Sequence, residues 1–135
     1  MQLSAEVMTA SEKVSSRLNL QKGDEVLYLQ KVFTADGLPI IMFKNYFPTW
    51  VFEDHLTIEQ AQDPGITEPF FNFLTERCNR PISFLASMIR PEIIKNIDLP
   101  DLFAFNDPDT VFLIVEDVGY DAENVPVFLS IEHLF

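Results

Sequence analysis

The feature that most restricts how this chain folds is a pattern it carries twice. Phe33-Thr34-Ala35-Asp36-Gly37-Leu38-Pro39-Ile40 joins two runs of strand-forming residues, and Tyr120-Asp121-Ala122-Glu123-Asn124-Val125-Pro126-Val127 joins two more. In each copy Ala, an acidic residue, a Gly or Asn able to adopt positive φ, an apolar residue and Pro follow one another between β-rich segments. Asp-Gly is a strong hairpin signal, because tight hairpin turns need positive φ at their centre. Pro is tolerated at the start of a return strand, where no ladder N–H is lost. The pattern predicts one hairpin from Glu25–Thr34 and Leu38–Phe47, and a second from Val111–Tyr120 and Val125–Phe135. Whether the echo is a true repeat or a convergence of turn chemistry, both hairpins stand.

The rest of the chain supplies short elements. Leu3–Met8 reads as a strand, and Thr9-Ala10-Ser11-Glu12 as a capping box opening a helix over Ser11–Leu18. Gly23 marks a turn, Pro48 stops the strand before it, and Thr57 caps a helix of one or two turns through Gln62. Thr67, followed by Glu68 and Pro69, reads as an N-cap for a helix with Phe70, Phe71, Leu74 and Cys78 on one face. Ile82–Ile89 reads as a strand, and Pro91 as the start of a short helix burying Ile93, Ile94 and Ile97. Local hairpins with helices between them, without βαβ alternation, predict an α+β fold: an antiparallel sheet with short helices packed on it.

Composition narrows the function classes. A chain of 135 residues predicts one domain, and 47% hydrophobic content with 13 Phe excludes a disordered segment. With 9 basic against 21 acidic residues the net charge is -12, which repels nucleic-acid backbones and anionic membranes. Met1–Thr9 lacks the basic and apolar regions of a signal peptide, and no apolar run reaches the ~18 residues of a membrane span. Cys78 is the single cysteine, so no internal disulfide forms, and a cytoplasmic location is expected. His55 and His133 have no neighbours at metal-ligand spacing, and no phosphate loop or nucleophile elbow occurs. Neither a cofactor nor a metal is expected, and the chain does not read as an enzyme.

A family resemblance extends along nearly the whole chain. Leu18-Asn-Leu-Gln-Lys-Gly-Asp-Glu-Val-Leu27, then Ala35-Asp-Gly-Leu-Pro39, then Asn45-Tyr-Phe-Pro48 resembles the opening of a UTRA domain of GntR/HutC-type transcription regulators. Val118-Gly-Tyr-Asp-Ala-Glu-Asn-Val-Pro-Val127 resembles its closing hairpin. The resemblance implies a chorismate-lyase-like fold that binds a small effector, forms a homodimer and acts on DNA only through a separate winged-helix domain, which this chain lacks. It implies a single such domain over residues 1–135. Two other outcomes remain open: a chorismate-lyase-like enzyme, and a dimerisation module without ligand.

The resemblance also implies where a ligand would sit. In sugar-phosphate-binding relatives two Arg on the first hairpin strand hold the phosphate; the matching positions here are Lys31 and Phe33. Two Glu on the return strand and the last strand correspond to Phe43 and Phe128. With a single Lys in place of a bidentate Arg cradle, a phosphate ligand is disfavoured. The expected pocket is instead partly apolar, lined by Phe33, Phe43 and Phe128, with Lys31 able to pair with one carboxylate and Ser83, Ser87 and Ser130 offering hydroxyls.

Overall fold

Both predicted hairpins form, and they lie side by side in one sheet. The computed structural model describes residues 2–54, 57–61, 72, 75–76, 78–97 and 107–135. Its strands are β1 (Gln2–Thr9), β2 (Glu25–Ala35), β3 (Leu38–Pro48), β4 (Phe84–Ile93), β5 (Val111–Tyr120) and β6 (Pro126–Leu134). The helices are α1 (Glu12–Arg17) and α2 (Ile58–Ala61), with one-turn 3-10 helices at Thr49–Val51 and Ile94–Asn96. The strand order is β1-β2-β3-β6-β5-β4, and every neighbouring pair is antiparallel. Two three-stranded units, β1-β2-β3 and β6-β5-β4, therefore meet along β3 and β6.

The turns explain the echo in physical terms. Ala35 pairs with Leu38, so Asp36 (φ 52°) and Gly37 (φ 77°) form a two-residue turn with positive φ at both positions. In the closing hairpin Asn124 (φ 62°) takes the same backbone region. There the Asp121 carboxylate accepts hydrogen bonds from the N–H of Glu123 at 2.8 Å and of Val125 at 3.0 Å, an Asx-type turn. The register shifts beside each turn, between Phe33 and Thr34 and between Gly119 and Tyr120, with the extra residue, Ile40 or Val127, on the return strand. Beside the second shift the strands fit closely: a Cβ on Gly119 would lie 2.0 Å from the Phe128 ring.

Three expectations need correction. The cap of α1 is Ser11, whose hydroxyl accepts from the Val14 N–H at 3.2 Å; Thr9 still belongs to β1, so no capping box forms there. The reciprocal box occurs instead at α2, where Thr57 Oγ1 accepts from the Gln60 N–H and Gln60 Oε1 from the Thr57 N–H. Pro91 does not open a helix: β4 runs through it to Ile93, with Pro91 opposite Leu113, and only the 3-10 turn follows. Proline survives in β4 because that strand ends the sheet, where one row of N–H groups has no ladder partner to lose. The sheet dominates, and α1 and α2 are short, with six and four residues. Most of the helix expected after Thr67 lies outside them.

Strand alternation splits the core between two faces. On one face α1 presses Val14 and Leu18 onto Val26, Val118 and Leu129. On the other, Leu27, Leu29, Phe47 and Phe128 pack with Val51, Phe52 and Cys78. The helix is clamped as well as packed. The buried Glu116 carboxylate accepts hydrogen bonds from Lys13 Nζ at 2.5 Å and Arg90 Nη1 at 2.7 Å, with Arg17 Nη2 at 3.6 Å. Burial alone would raise the Glu116 pKa, but the hydrogen bonds and charges of Lys13 and Arg90 outweigh it and hold the carboxyl below its usual range. A folded pKa below the unfolded one gives stabilisation that is present above the unfolded value and lost as pH falls through the folded one. Glu116→Gln is expected to cost about 2 kcal/mol at pH 7, below the range for a fully buried pair because its cations are partly exposed. Urea titrations from pH 7 to 3 should show this difference shrink below about pH 4.3, the ordinary Glu value; a difference independent of pH would contradict the clamp.

Candidate functional site

The ladder register draws a polar row across the face opposite α1. Leu29 pairs with Asn45, Asn45 with Ser130, Ser130 with Asp117, and Asp117 with Ser87. Paired residues in an antiparallel sheet share a face, so these side chains stand in line. One row further along come Lys31, Phe43, Glu132, Val115 and Ile89, and beyond them Phe33, Ile41, Leu134, Leu113 and Pro91. On the other side of the row lie Leu27 with Phe47, and Phe128 with Gly119 and Leu85. A line of hydrogen-bonding groups thus crosses a largely apolar face.

Two members of that line are buried without partners. Asn45 is 1% exposed and Ser130 0%, yet neither Asn45 Oδ1 nor Ser130 Oγ has a hydrogen bond. Buried polar atoms are almost always satisfied, and an orphan costs about 1–3 kcal/mol. Here two of them, Asn45 Oδ1 and Ser130 Oγ, belong to one ladder pair on adjacent strands. Towards the sheet edge the row opens: Asp117 is half-buried and accepts from the exposed Ser87 hydroxyl at 2.5 Å. Burial first, and then the charge of Asp117, push the Glu132 carboxyl above its usual range. Lys31 is buried in the next row, with Phe43 as its ladder partner.

The residues expected at the site divide into three groups. Lys31, Phe33 and Phe43 are contiguous, and the two rings meet edge to face with centroids 5.6 Å apart. Ser87 and Ser130 belong to the polar row. Phe128 shares the face but is wholly buried in the cluster with Phe47, their ring centroids 6.3 Å apart, rather than beside Phe33 and Phe43. Ser83 precedes β4, exposed, with its N–H donating to the Tyr120 carbonyl at 2.7 Å. Asn45, Asp117 and Glu132 are additions that the sequence reading missed. For Asn45 a signal existed, a polar residue between Phe43 and Phe47 at strand alternation. Asp117 and Glu132 become visible only with the register.

Other features stand apart from this row. A groove of about 520 Å³ lies between α1 and β4–β5, walled by Arg17, Asn19, Met88 and Glu116 and so belonging to the clamp. His133, stacked on Phe112, is pushed down to a pKa of about 4 by burial and by the charge of Lys44, against a backbone hydrogen bond with Met42 that raises it. Among the described residues no group of three or more His, Cys, Asp or Glu side chains could hold a metal ion, and no helix is long and apolar enough to cross a membrane.

Comparison with known proteins gives a consistent result. The UTRA domain family matches residues 2–134. None of the curated proteins compared with the chain matches it. Among solved structures, one named as the ligand-binding domain of a GntR-family transcriptional regulator of Bordetella bronchiseptica superposes with TM-score 0.79 at 14% identity, covering 100% of this chain and 82% of that one. A GntR-family transcriptional regulator of Enterococcus faecalis gives TM-score 0.75 at 18% identity, covering 99% and 91%. PhnF of Mycobacterium smegmatis gives TM-score 0.76 at 17% identity; 99% of this chain is covered but only 56% of PhnF. At these identities the likeness speaks for the fold.

Removing an orphaned buried group without changing shape is nearly neutral or stabilising, whereas removing a bonded one costs about 1 kcal/mol. Ser130→Ala is therefore expected to leave the ligand-free protein as stable as before, or to stabilise it by up to about 1 kcal/mol in urea unfolding. A loss larger than about 1 kcal/mol would mean that the hydroxyl is bonded within the fold.

Proposed function

The chain belongs to the UTRA domain family, the effector-binding domains of GntR-family regulators, and from that premise we propose that it senses a small molecule on the sheet face opposite α1. In this reading Asn45, Ser130, Asp117 and Ser87 direct the ligand's polar groups, Lys31 and Glu132 flank them, and Phe33 and Phe43 meet its apolar part. The observation that carries it is the pair of buried, unpaired atoms Asn45 Oδ1 and Ser130 Oγ on one ladder pair. The net charge of -12 leaves DNA contact to a separate winged-helix domain, and the setting is cytoplasmic. An enzyme acting on an anionic substrate is less well served, because the row and its flank carry two carboxylates, Asp117 and Glu132, against one ammonium, Lys31.

Coupling to DNA requires a ligand that binds one arrangement of a dimer better than another, a difference of ~1–3 kcal/mol in typical cases. The test is a thermal-shift screen of metabolites, followed by DNA-binding measurements on the regulator that carries this domain. A ligand at ~100 times its Kd contributes about 2.7 kcal/mol, a shift on the order of 10 °C. The expected ligand raises the Tm of the wild type, loses that effect with Asn45→Leu, and changes operator affinity. A ligand whose effect is untouched by Asn45→Leu would place sensing elsewhere.

The homodimer is proposed to use the β4 side of the sheet. β4 is a terminal strand, and Phe84, Leu85, Met88 and Ile89 are 42–67% exposed along it, with Val111 and Leu113 of β5 beside them. Long exposed apolar edges invite pairing, and a two-fold axis lets one edge cover its own copy. Sedimentation should show a dimer that Ile89→Lys converts to monomer; a dimer indifferent to that substitution would exclude this edge.

A further inference from the structure

Resting on the sheet face opposite α1 being the effector site, we infer that its ligand presents a protonated amine on a partly aromatic or aliphatic skeleton, and not a phosphate or carboxylate. The argument begins with the atoms left unmatched. Asn45 Oδ1 is a buried acceptor without a donor, and Ser130 Oγ beside it has two lone pairs and one proton unused. The ladder neighbour of Ser130 is Asp117, a carboxylate that accepts one hydrogen bond from Ser87 on Oδ1. Along β6, two residues on and on the same face, stands Glu132, another carboxylate.

Acceptors therefore outnumber donors along this line. The excess is what an ammonium group matches, since it offers three donors and no acceptor. The electrostatics agree with the hydrogen bonding. Burial and the nearby Asp117 charge hold the Glu132 carboxyl above its usual range, so the neighbourhood already disfavours another negative charge. An anionic ligand would add to that repulsion, and Lys31 is a single ammonium set against two carboxylates. A cation relieves it.

The flanks set the rest of the ligand. Phe33 and Phe43 present edge and face at 5.6 Å, and Phe33 is 37% exposed. A flat apolar skeleton of modest size with its amine in the row between Asp117 and Ser130 reaches Phe43, on the strand next to Ser130 and one ladder row away. Ring faces also attract a cation directly.

Three probes sharing a phenyl group separate the possibilities: 2-phenylethylamine, 3-phenylpropionate and phenyl phosphate, each titrated at millimolar concentration and followed by amide chemical shifts. The expected result is saturable shifts at Asn45, Asp117 and Ser130 with the amine, at least tenfold weaker binding of the two anions, and a loss of about tenfold in amine affinity with Asp117→Asn. Asp36→Asn in the first turn, which removes the same charge away from the row, should leave amine affinity unchanged. If the anions shift these amides at equal or lower concentration, or if Asp36→Asn weakens the amine as much as Asp117→Asn, the ligand class is wrong while the site stands. If none of the probes shifts these amides, both the ligand class and the siting of the effector on this face are overturned.

Discussion

The pairing of β3 with β6 is the constraint on which the rest of this structure depends. Each strand belongs to its own three-stranded unit, and their ladder is what makes one sheet of two. Side chains alternate with a period of two, so a slip of one residue would send every side chain of a unit to the other face. In the observed register Tyr46 stands opposite Leu129 on the side of α1, and Asn45 opposite Ser130 on the other. The same ladder thus fixes the helix-covered core and the polar row together. Neither unit contains the row by itself: β3 supplies Asn45, β6 supplies Ser130 and Glu132, and β5 and β4 supply Asp117 and Ser87.

The two faces answer different physical demands. On the α1 side the deeply buried carboxylate of Glu116 is met by three cations, and its cost of burial is offset by charge-assisted hydrogen bonds. On the other side Asn45 Oδ1 and Ser130 Oγ are not met, while on the α1 side Glu116 Oε2 and His133 Nδ1 also lack a hydrogen bond. Natural cores tolerate such local inconsistency mainly where function requires it, and the surrounding fold supplies the stability that the site forgoes. The apolar neighbours of the row keep Asn45 and Ser130 away from water, which increases the value of any hydrogen bond a ligand brings. In the proposed reading, that is how a modest binding event would acquire enough free energy to bias a dimer between two arrangements.

The sequence revealed the hairpins because their turns are chemically explicit. Asp36-Gly37 and Asn124 declare positive φ, and the strand formers on either side declare the ribbons. Pro91 misled, because proline reads as a helix start until one knows that its strand ends a sheet. The cap at Thr57 was legible, whereas at Thr9–Glu12 the tertiary pairing of Thr9 with Glu25 leaves Ser11 as the cap and no reciprocal box. Lys31, Phe33 and Phe43 were reachable through the family resemblance and Ser87 and Ser130 as nearby hydroxyls, and the five share a face. Asp117 and Glu132 were not, since they are far from Asn45 in sequence and are joined to it only through the β3–β6 and β5–β6 ladders. Phe128 matches a motif position yet fills the core, and Ser83, expected to offer a hydroxyl, is an exposed strand approach.

A crystal structure of the protein at a resolution that shows ordered water tests the polar row most directly. The expected map has a water molecule or an unassigned ligand within hydrogen-bond distance of both Asn45 Oδ1 and Ser130 Oγ, on the face away from α1. Finding those two atoms bonded to other protein groups, or on opposite faces of the sheet, would contradict it.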